Sequence, residues 1–439
     1  MGSTGSRQVS SPAYGWILVA ALAVTTTLGY GVLSYAFAVF LVPMQHDLGT
    51  GRTPITFAAT LTLLAAALAS VPAGRWLDRH GGRGLMVGGS IVATVGLLAW
   101  SQVHSLLALY AVAVLIGFGT VGVLYEAAFA VVVTWFEQPR RGTAMLTITI
   151  AGGFASTIFL PLTGVLVDAY GWRHALIVLA IIYGALTIPL HALVRRPPTW
   201  PGVRHEGRPG AGHGTGSGAG AGDRKTVLAK ALRDPVYWLM TGSFVAESIG
   251  IFVLSVHIVA YLVELGHSAT LAATIAGLFG VLSVTGRIVT TFAQRRTRMT
   301  TIVAVIFLVQ AAGAVALPFL GGSIVGAVAC ILAFGIGFGV GTIARPAMIA
   351  DRYGVTGYAT LAGLMAGLLM VTKAAVPLGA AYLRTLTGSY TLVMIICAVG
   401  AVLGALGLLT IGTTRTADGH GHGSGQEAQQ NQQGRATQG

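Results

Sequence analysis

Five ionisable side chains, Glu126, Glu247, His257, Arg287 and Lys373, lie inside long apolar stretches of this 439-residue chain. A charge at bilayer depth costs about 2.5–3.5 kcal/mol even on the mildest scale, so each is a candidate for binding or proton work. Arg287 precedes Arg295 by eight residues. At a rise of about 1.5 Å per residue it sits about 12 Å inside its helix, too deep to reach the aqueous edge comfortably. A guanidinium stays charged at any working pH and grips a carboxylate through two parallel hydrogen bonds. A structural pair with an acid such as Glu126 or Glu247 is the alternative use. Lys373 falls near the middle of its apolar block. It either holds an anion or pairs with a carbonyl or an acid.

Glu126 follows Tyr125 in mid-block. Burial raises a carboxyl pKa and a nearby cation lowers it, so a Glu held between the two influences can gain and lose a proton. A permanent counter-ion is the competing reading. Glu247 is similar in depth and belongs to no motif. His257 can bind a proton or a ligand, or pack with a local hydrogen bond. Tyr125 can donate to a carboxylate or fill space between helices. Arg345 lies only about 8 Å from the end of its helix, which favours snorkelling.

The elements that carry these residues are apolar helices. The chain is 54% hydrophobic and only 9% charged, where soluble domains carry about 25% charge. The apolar residues form blocks long enough to cross about 30 Å of hydrocarbon. They place twelve spans at 13–43, 54–76, 84–102, 105–135, 143–167, 172–194, 236–264, 269–294, 300–319, 322–350, 358–383 and 388–412. Continuous apolar character, without alternation, selects helices over a barrel. The expected organisation is a cytoplasmic N-terminus (1–12), a six-helix half (13–195), a Gly-rich flexible linker (196–235), a second half (236–412) and a disordered polar tail (413–439). The first block is too long for a cleavable signal peptide and lacks a small-residue cleavage site.

The net charge of +13 follows topology. With both termini inside, the outer loops carry only Arg52, Arg173 and Arg384 of the 26 basic residues, while Arg287, Arg345 and Lys373 lie in spans. The rest fall on the side of the termini, a strong positive-inside signal that removes a nucleic-acid reading. Cys330 and Cys397 sit inside apolar blocks and read as packing residues. The linker and tail histidines form no fixed ligand set, so no metal is assigned, and nothing calls for a cofactor. The halves repeat weakly: Gly119 and Pro161 correspond to Gly335 and Pro377, and Ser70–Arg75 is similar to Ser283–Arg287. Internal repeats of this kind mark secondary transporters.

The stretch Gly74-Arg75-Trp76-Leu77-Asp78-Arg79-His80-Gly81-Gly82-Arg83 resembles the signature loop of the major facilitator superfamily, G-x-x-x-D-R-x-G-R-R. The resemblance implies two pseudo-symmetric six-helix bundles. It also implies a cytoplasmic latch built on Gly74, Asp78, Arg79 and Arg83, with Asp78 facing the positive end of a neighbouring helix. Within that superfamily the chain is similar to the oxalate–formate antiporter and monocarboxylate transporter group. Tyr125 ahead of Val133-Thr134-Trp135-Phe136, Arg140-Arg141-Gly142, the stretch from His257 to Gly266, Gly286-Arg287 and Lys373 carry that similarity. It implies that Arg287 holds a substrate carboxylate, Lys373 neutralises a second, and Tyr125 and His257 line the site. Two positions depart from the group: Ser283 stands where animal-type relatives carry an Asp, and Met370 where oxalate-type relatives carry an aromatic. The proton must then bind elsewhere or not at all, and Glu126 is the remaining candidate.

The expectation is a secondary transporter for a small organic mono- or dicarboxylate in the inner membrane, acting as a monomer and coupled to protons or to a counter-anion. An exporter of drugs or natural products is the main alternative. Such exporters often carry G-x-x-x-G-P-x-x-G-G in the fifth span, where only Pro161-Leu162-Thr163-Gly164 stands here. A non-transporting sensor has little polypeptide for output. An enzyme is not expected, because no phosphate loop or metal pair is present.

Overall fold

A computed structural model describes residues 12–138, 140–196, 221–294 and 296–411. Among the described residues the regular structure is helical. The expected N-terminal segment, most of the linker and the tail lie outside the described residues. Ala221–Arg233, which falls within the stretch expected as linker, is a helix.

Eleven helices among the described residues are long and apolar enough to cross a membrane. They are Ala13–Asp47, Thr53–His80, Gly82–Ser101, Leu106–Trp135, Arg140–Ala192, Pro235–Glu264, Thr270–Ala293, Met299–Leu320, Ile324–Tyr353, Tyr358–Thr387 and Thr391–Ile411. Arg140–Ala192 has 53 residues, enough for two crossings. It bends at Gly171, whose φ of 73° is open to glycine and costly to most other residues. Counting the fifth and sixth spans on either side of that bend gives the twelve expected from the sequence. Helix starts are written locally. Ser105, Ser268 and Ser323 accept the amide hydrogens of Ala108, Leu271 and Gly326 and cap the fourth, eighth and tenth spans. Asp234 caps the seventh ahead of Pro235, which needs no amide partner there.

Among the described residues, four spans are not plain α-helices, the fifth being interrupted at Phe154 between Arg140–Gly153 and Ala155–Ala192. The first contains a π-helical turn, Gly31–Tyr35. The fourth divides into Leu106–Thr120 and Tyr125–Trp135. The tenth divides into Ile324–Gly335 and Val340–Tyr353. The last two breaks fall at corresponding places in the sequence repeat, just beyond Gly119 and at Gly335.

The chain forms two compact units, Met1–Arg233 with Arg345–Ala374, and Asp234–Ala344 with Ala375–Gly439. The first has a core built on Phe40, Trp100, Phe159, Trp172 and Tyr183. The second has its own, around Tyr261, Phe279, Phe334 and Tyr390. Large apolar side chains such as Leu68, Leu107, Phe319 and Val325 are exposed, as faces that meet lipid require.

Candidate functional site

The signature stretch is mostly helical. The second span runs through His80, and the turn is confined to Gly81 with φ 80°. Gly74 and Asp78 therefore stand one helical turn apart on one face. A Cβ on Gly74 would collide with the Ala359 carbonyl. The bare backbone lets the second span reach the start of the eleventh. One turn on, the Asp78 carboxylate accepts the amide hydrogens of Ala359 at 3.0 Å and Thr360 at 2.9 Å, and the Thr360 hydroxyl at 2.5 Å. It satisfies helix-start donors that would otherwise lack partners and meets the positive end of the helix dipole. Gly363 and Gly367 continue the seam, pressed against Ser70. Arg79 and Arg83 are exposed. The Arg79 carbonyl accepts from the Arg196 guanidinium. A second contact joins Arg141 to Asp351 at 3.5 Å, with Arg141 also donating to the Phe136 carbonyl.

Glu126 lies in the first turn of the helix that follows the fourth-span break. A carboxylate is electrostatically favoured there. It is half-buried and lies within electrostatic range of Lys373. Lys373 lines a cavity of about 200 Å³ together with residues of the first four spans. Its side chain is exposed. Tyr125 is buried, stacked on Phe129 and packed against Tyr30, and its hydroxyl donates to the Thr149 carbonyl at 3.4 Å. A Cβ on Gly152 would strike that hydroxyl. Tyr125 thus acts as packing between the first, fourth and fifth spans.

Arg287 and His257 belong to the second unit. Arg287 is only 7% exposed. A Cβ on Gly286 would collide with the Ile336 carbonyl, and one on Gly339 with the Ser283 carbonyl. These two glycines let the eighth span press against the tenth-span break. The Arg287 Nε lies 2.8 Å from where a Gly339 Cβ would stand. The guanidinium is therefore set beside a segment whose backbone is not helical. Discontinuous helices of this kind build substrate and ion sites in transporters. Gln310 supports the break from the ninth span by donating to the Phe334 carbonyl at 3.2 Å. Glu247 is buried in the same unit.

Both ring nitrogens of His257 are engaged. Nε2 meets the Pro377 carbonyl at 2.9 Å and Nδ1 the Tyr390 hydroxyl at 3.1 Å. The pattern fits a neutral imidazole with Nε2–H donating and Nδ1 accepting. Burial pushes the Tyr390 phenol up, which keeps it a donor. His257 ties the seventh span to the eleventh. Arg345, expected near the helix end, sits in the tenth span within electrostatic range of the buried Tyr358.

The first unit thus brings Glu126, Tyr125, Lys373 and the Asp78 cap into one body, and the second brings together Arg287, Gly339 and Gln310. The two span breaks and the π turn were missed from sequence. Their available signals were the glycine sets Gly117, Gly119, Gly122 and Gly335, Gly337, Gly339. No cluster of metal-ligating side chains occurs among the described residues.

The oxalate:formate antiporter of Oxalobacter formigenes is 28% identical over 251 residues, covering 56% of this chain and 56% of that protein. Monocarboxylate transporter 3 of Rattus norvegicus is 25% identical over 65% of this chain and 57% of its own length. These alignments span little more than half of each relative. Monocarboxylate transporter 12 of Rattus norvegicus is 25% identical over 92% of this chain and 86% of its own. Among solved structures, the Major Facilitator Superfamily transporter FucP in the outward conformation superposes with a TM-score of 0.72 at 14% identity, covering 90% of this chain and 99% of that one. That likeness concerns the fold. The family model described as Major Facilitator Superfamily matches residues 19–371. With the helical spans, the Asp78 cap and that match over most of its length, this chain belongs to the Major Facilitator Superfamily and is a multi-pass membrane transporter, not an enzyme.

Proposed function

We propose that the protein carries a small organic carboxylate across the inner membrane by alternating access, with both termini cytoplasmic and the monomer as the working unit. The observation that carries this reading is the burial of Arg287 beside the tenth-span break, where a guanidinium can present two donors to a carboxylate. The named relatives, an oxalate:formate antiporter and monocarboxylate transporters, support the same substrate class. Lys373 supplies a second cation facing a cavity, and Glu126 is the proton-binding group in its field. A substrate carboxylate on Lys373 would deprive Glu126 of cationic company and favour its protonation. Tyr125 and His257 hold spans in place around this machinery. The Asp78 cap latches the cytoplasmic side during one half of the cycle.

Uptake and counterflow in proteoliposomes across a panel of mono- and dicarboxylates test this directly. Saturable exchange of at least one carboxylate, driven or modulated by an imposed pH gradient, is the expected outcome. Flux of neutral or cationic compounds with none of carboxylates contradicts the reading.

A further inference from the structure

The helix Ala221–Arg233 has no part in the transport machinery described above. Its apolar residues Val227, Leu228, Ala231 and Leu232 recur at one-turn spacing and are buried or half-buried. Lys225, Lys230 and Arg233 are exposed. The helix therefore docks by an apolar stripe and keeps a basic face outward. Only Asp234 separates it from Pro235, where the seventh span begins. A basic amphipathic helix joined so closely to a span belongs at the level of the lipid headgroups.

Lys225 and Leu228, one turn apart, also line a cavity of about 530 Å³. Its other walls are the end of the second span and the start of the eleventh. The second span contributes Arg75, Asp78 and Arg79, which share one helical face. His80 completes that wall, its ring stacked on Trp76 with centroids 4.4 Å apart. Three cations from two separate helices thus converge on one space. Asp78 is the acid in the lining, and its oxygens accept three hydrogen bonds from Ala359 and Thr360. Among the described residues, none of Arg75, Arg79 and Lys225 forms an ion pair. The positive-inside bias accounts for arginines in a loop. It does not require a lysine from a remote helix to share a cavity with them.

We propose that this cavity binds a phosphate-bearing anion, with Arg75 and Arg79 gripping the phosphate oxygens and Lys225 closing on it from the Ala221–Arg233 helix. Guanidinium forks match phosphate geometry, and an ammonium adds a compact point charge. Two sources carry that chemistry. One is the headgroup of an anionic phospholipid, which basic pockets beside membrane spans recognise. The other is a soluble polyphosphate, which the cavity volume admits. The site stands apart from the carboxylate reading, because Arg287, Lys373 and Glu126 do not line it.

The test uses the full-length protein in detergent at fixed ionic strength. One arm adds inorganic pyrophosphate, and the other adds micelles doped with phosphatidylglycerol, with phosphatidylcholine as the uncharged control. The apparent melting temperature reports binding, because a ligand that prefers the folded state stabilises it. A saturable rise is expected in at least one arm, and the arm that responds identifies the source. Lys225→Gln should raise the half-saturating concentration by at least about tenfold, as loss of a charge-assisted hydrogen bond implies. Arg75→Gln, on the other wall, should do the same and reads out independently if the first variant is unstable. Lys230→Gln makes the same charge change on the same helix outside the cavity lining. It should alter half-saturation by less than about twofold, as a screened surface charge implies. No saturable rise in either arm overturns the proposal. So does an equal weakening in Lys225→Gln and Lys230→Gln, which would reduce the effect to general surface charge.

Discussion

Asp78 and Thr360, separated by 282 positions in sequence, share two hydrogen bonds: the Thr360 amide and hydroxyl both donate to one carboxylate oxygen. The other oxygen takes the Ala359 amide. An ionised acceptor at a helix start gains from charge-assisted bonds and from the helix dipole together. The close approach that makes this possible depends on Gly74 one turn earlier.

Replacing Asp78 by Asn keeps the shape and removes the charge. Hydrogen bonds to charged groups contribute about 1.5–3 kcal/mol, so the latched state proposed for this contact should lose at least about tenfold in population. Cysteine-labelling rates should rise at cytoplasmic-side cavity positions and fall at outer ones. Unaltered labelling on both sides would remove Asp78 from the conformational equilibrium.

Gly286 and Gly277 lie on the same span and should respond in opposite ways. A Cβ at Gly286 meets the Ile336 carbonyl, whereas nothing lies within 4 Å of one at Gly277. Gly286→Ala must push the eighth span away from the tenth-span break and carry Arg287 with it. Transport should fall at least about tenfold, since a shift near 1 Å in a binding group is that costly. Gly277→Ala should insert and transport like the parent. Equal activity of the two variants would show that the close approach does not matter for Arg287.

Glu126→Gln should lose accumulation driven by a pH gradient and keep exchange down a substrate gradient. Glutamine retains the hydrogen-bonding shape at the helix start without a titrating proton. Concentrative uptake surviving in this variant would make Glu126 a structural counter-ion. Fast counterflow with no pH dependence in the parent would make the protein an anion exchanger.

Tyr390→Phe removes the hydroxyl that His257 Nδ1 meets. The loss of one such bond costs about 1 kcal/mol. The expected result is a lower melting temperature in detergent with substrate half-saturation unchanged, because His257 fastens spans. A selective change in half-saturation with no loss of stability would return His257 to the substrate site.

Much of the fold was written in the sequence as blocks of apolar residues. The twelve spans, with the fifth and sixth parted between 167 and 172, followed from block length, because lipid selects for length and hydropathy. The breaks after Thr120 and Gly335 did not, since hydropathy is blind to whether a backbone amide is bonded. Only the spacing of Gly117, Gly119 and Gly122, and of Gly335, Gly337 and Gly339, hinted at them. The motif around Asp78 announced that a helix start would be its partner, but not that Thr360 would lend its hydroxyl. For Tyr125 and His257 the sequence left ligand and packing roles open. Their hydrogen-bond partners, Thr149, Pro377 and Tyr390, are long-range neighbours that no local pattern specifies.

The central claim is that Arg287 holds a carboxylate, and Arg287→Lys tests it most directly. Lysine keeps the charge and loses the planar pair of donors. Carboxylate counterflow should be measured in proteoliposomes containing equal amounts of folded parent and variant. The account predicts that the variant loses most of the flux, by at least about tenfold, with insertion and thermal stability retained. Parent-like flux in Arg287→Lys would contradict it.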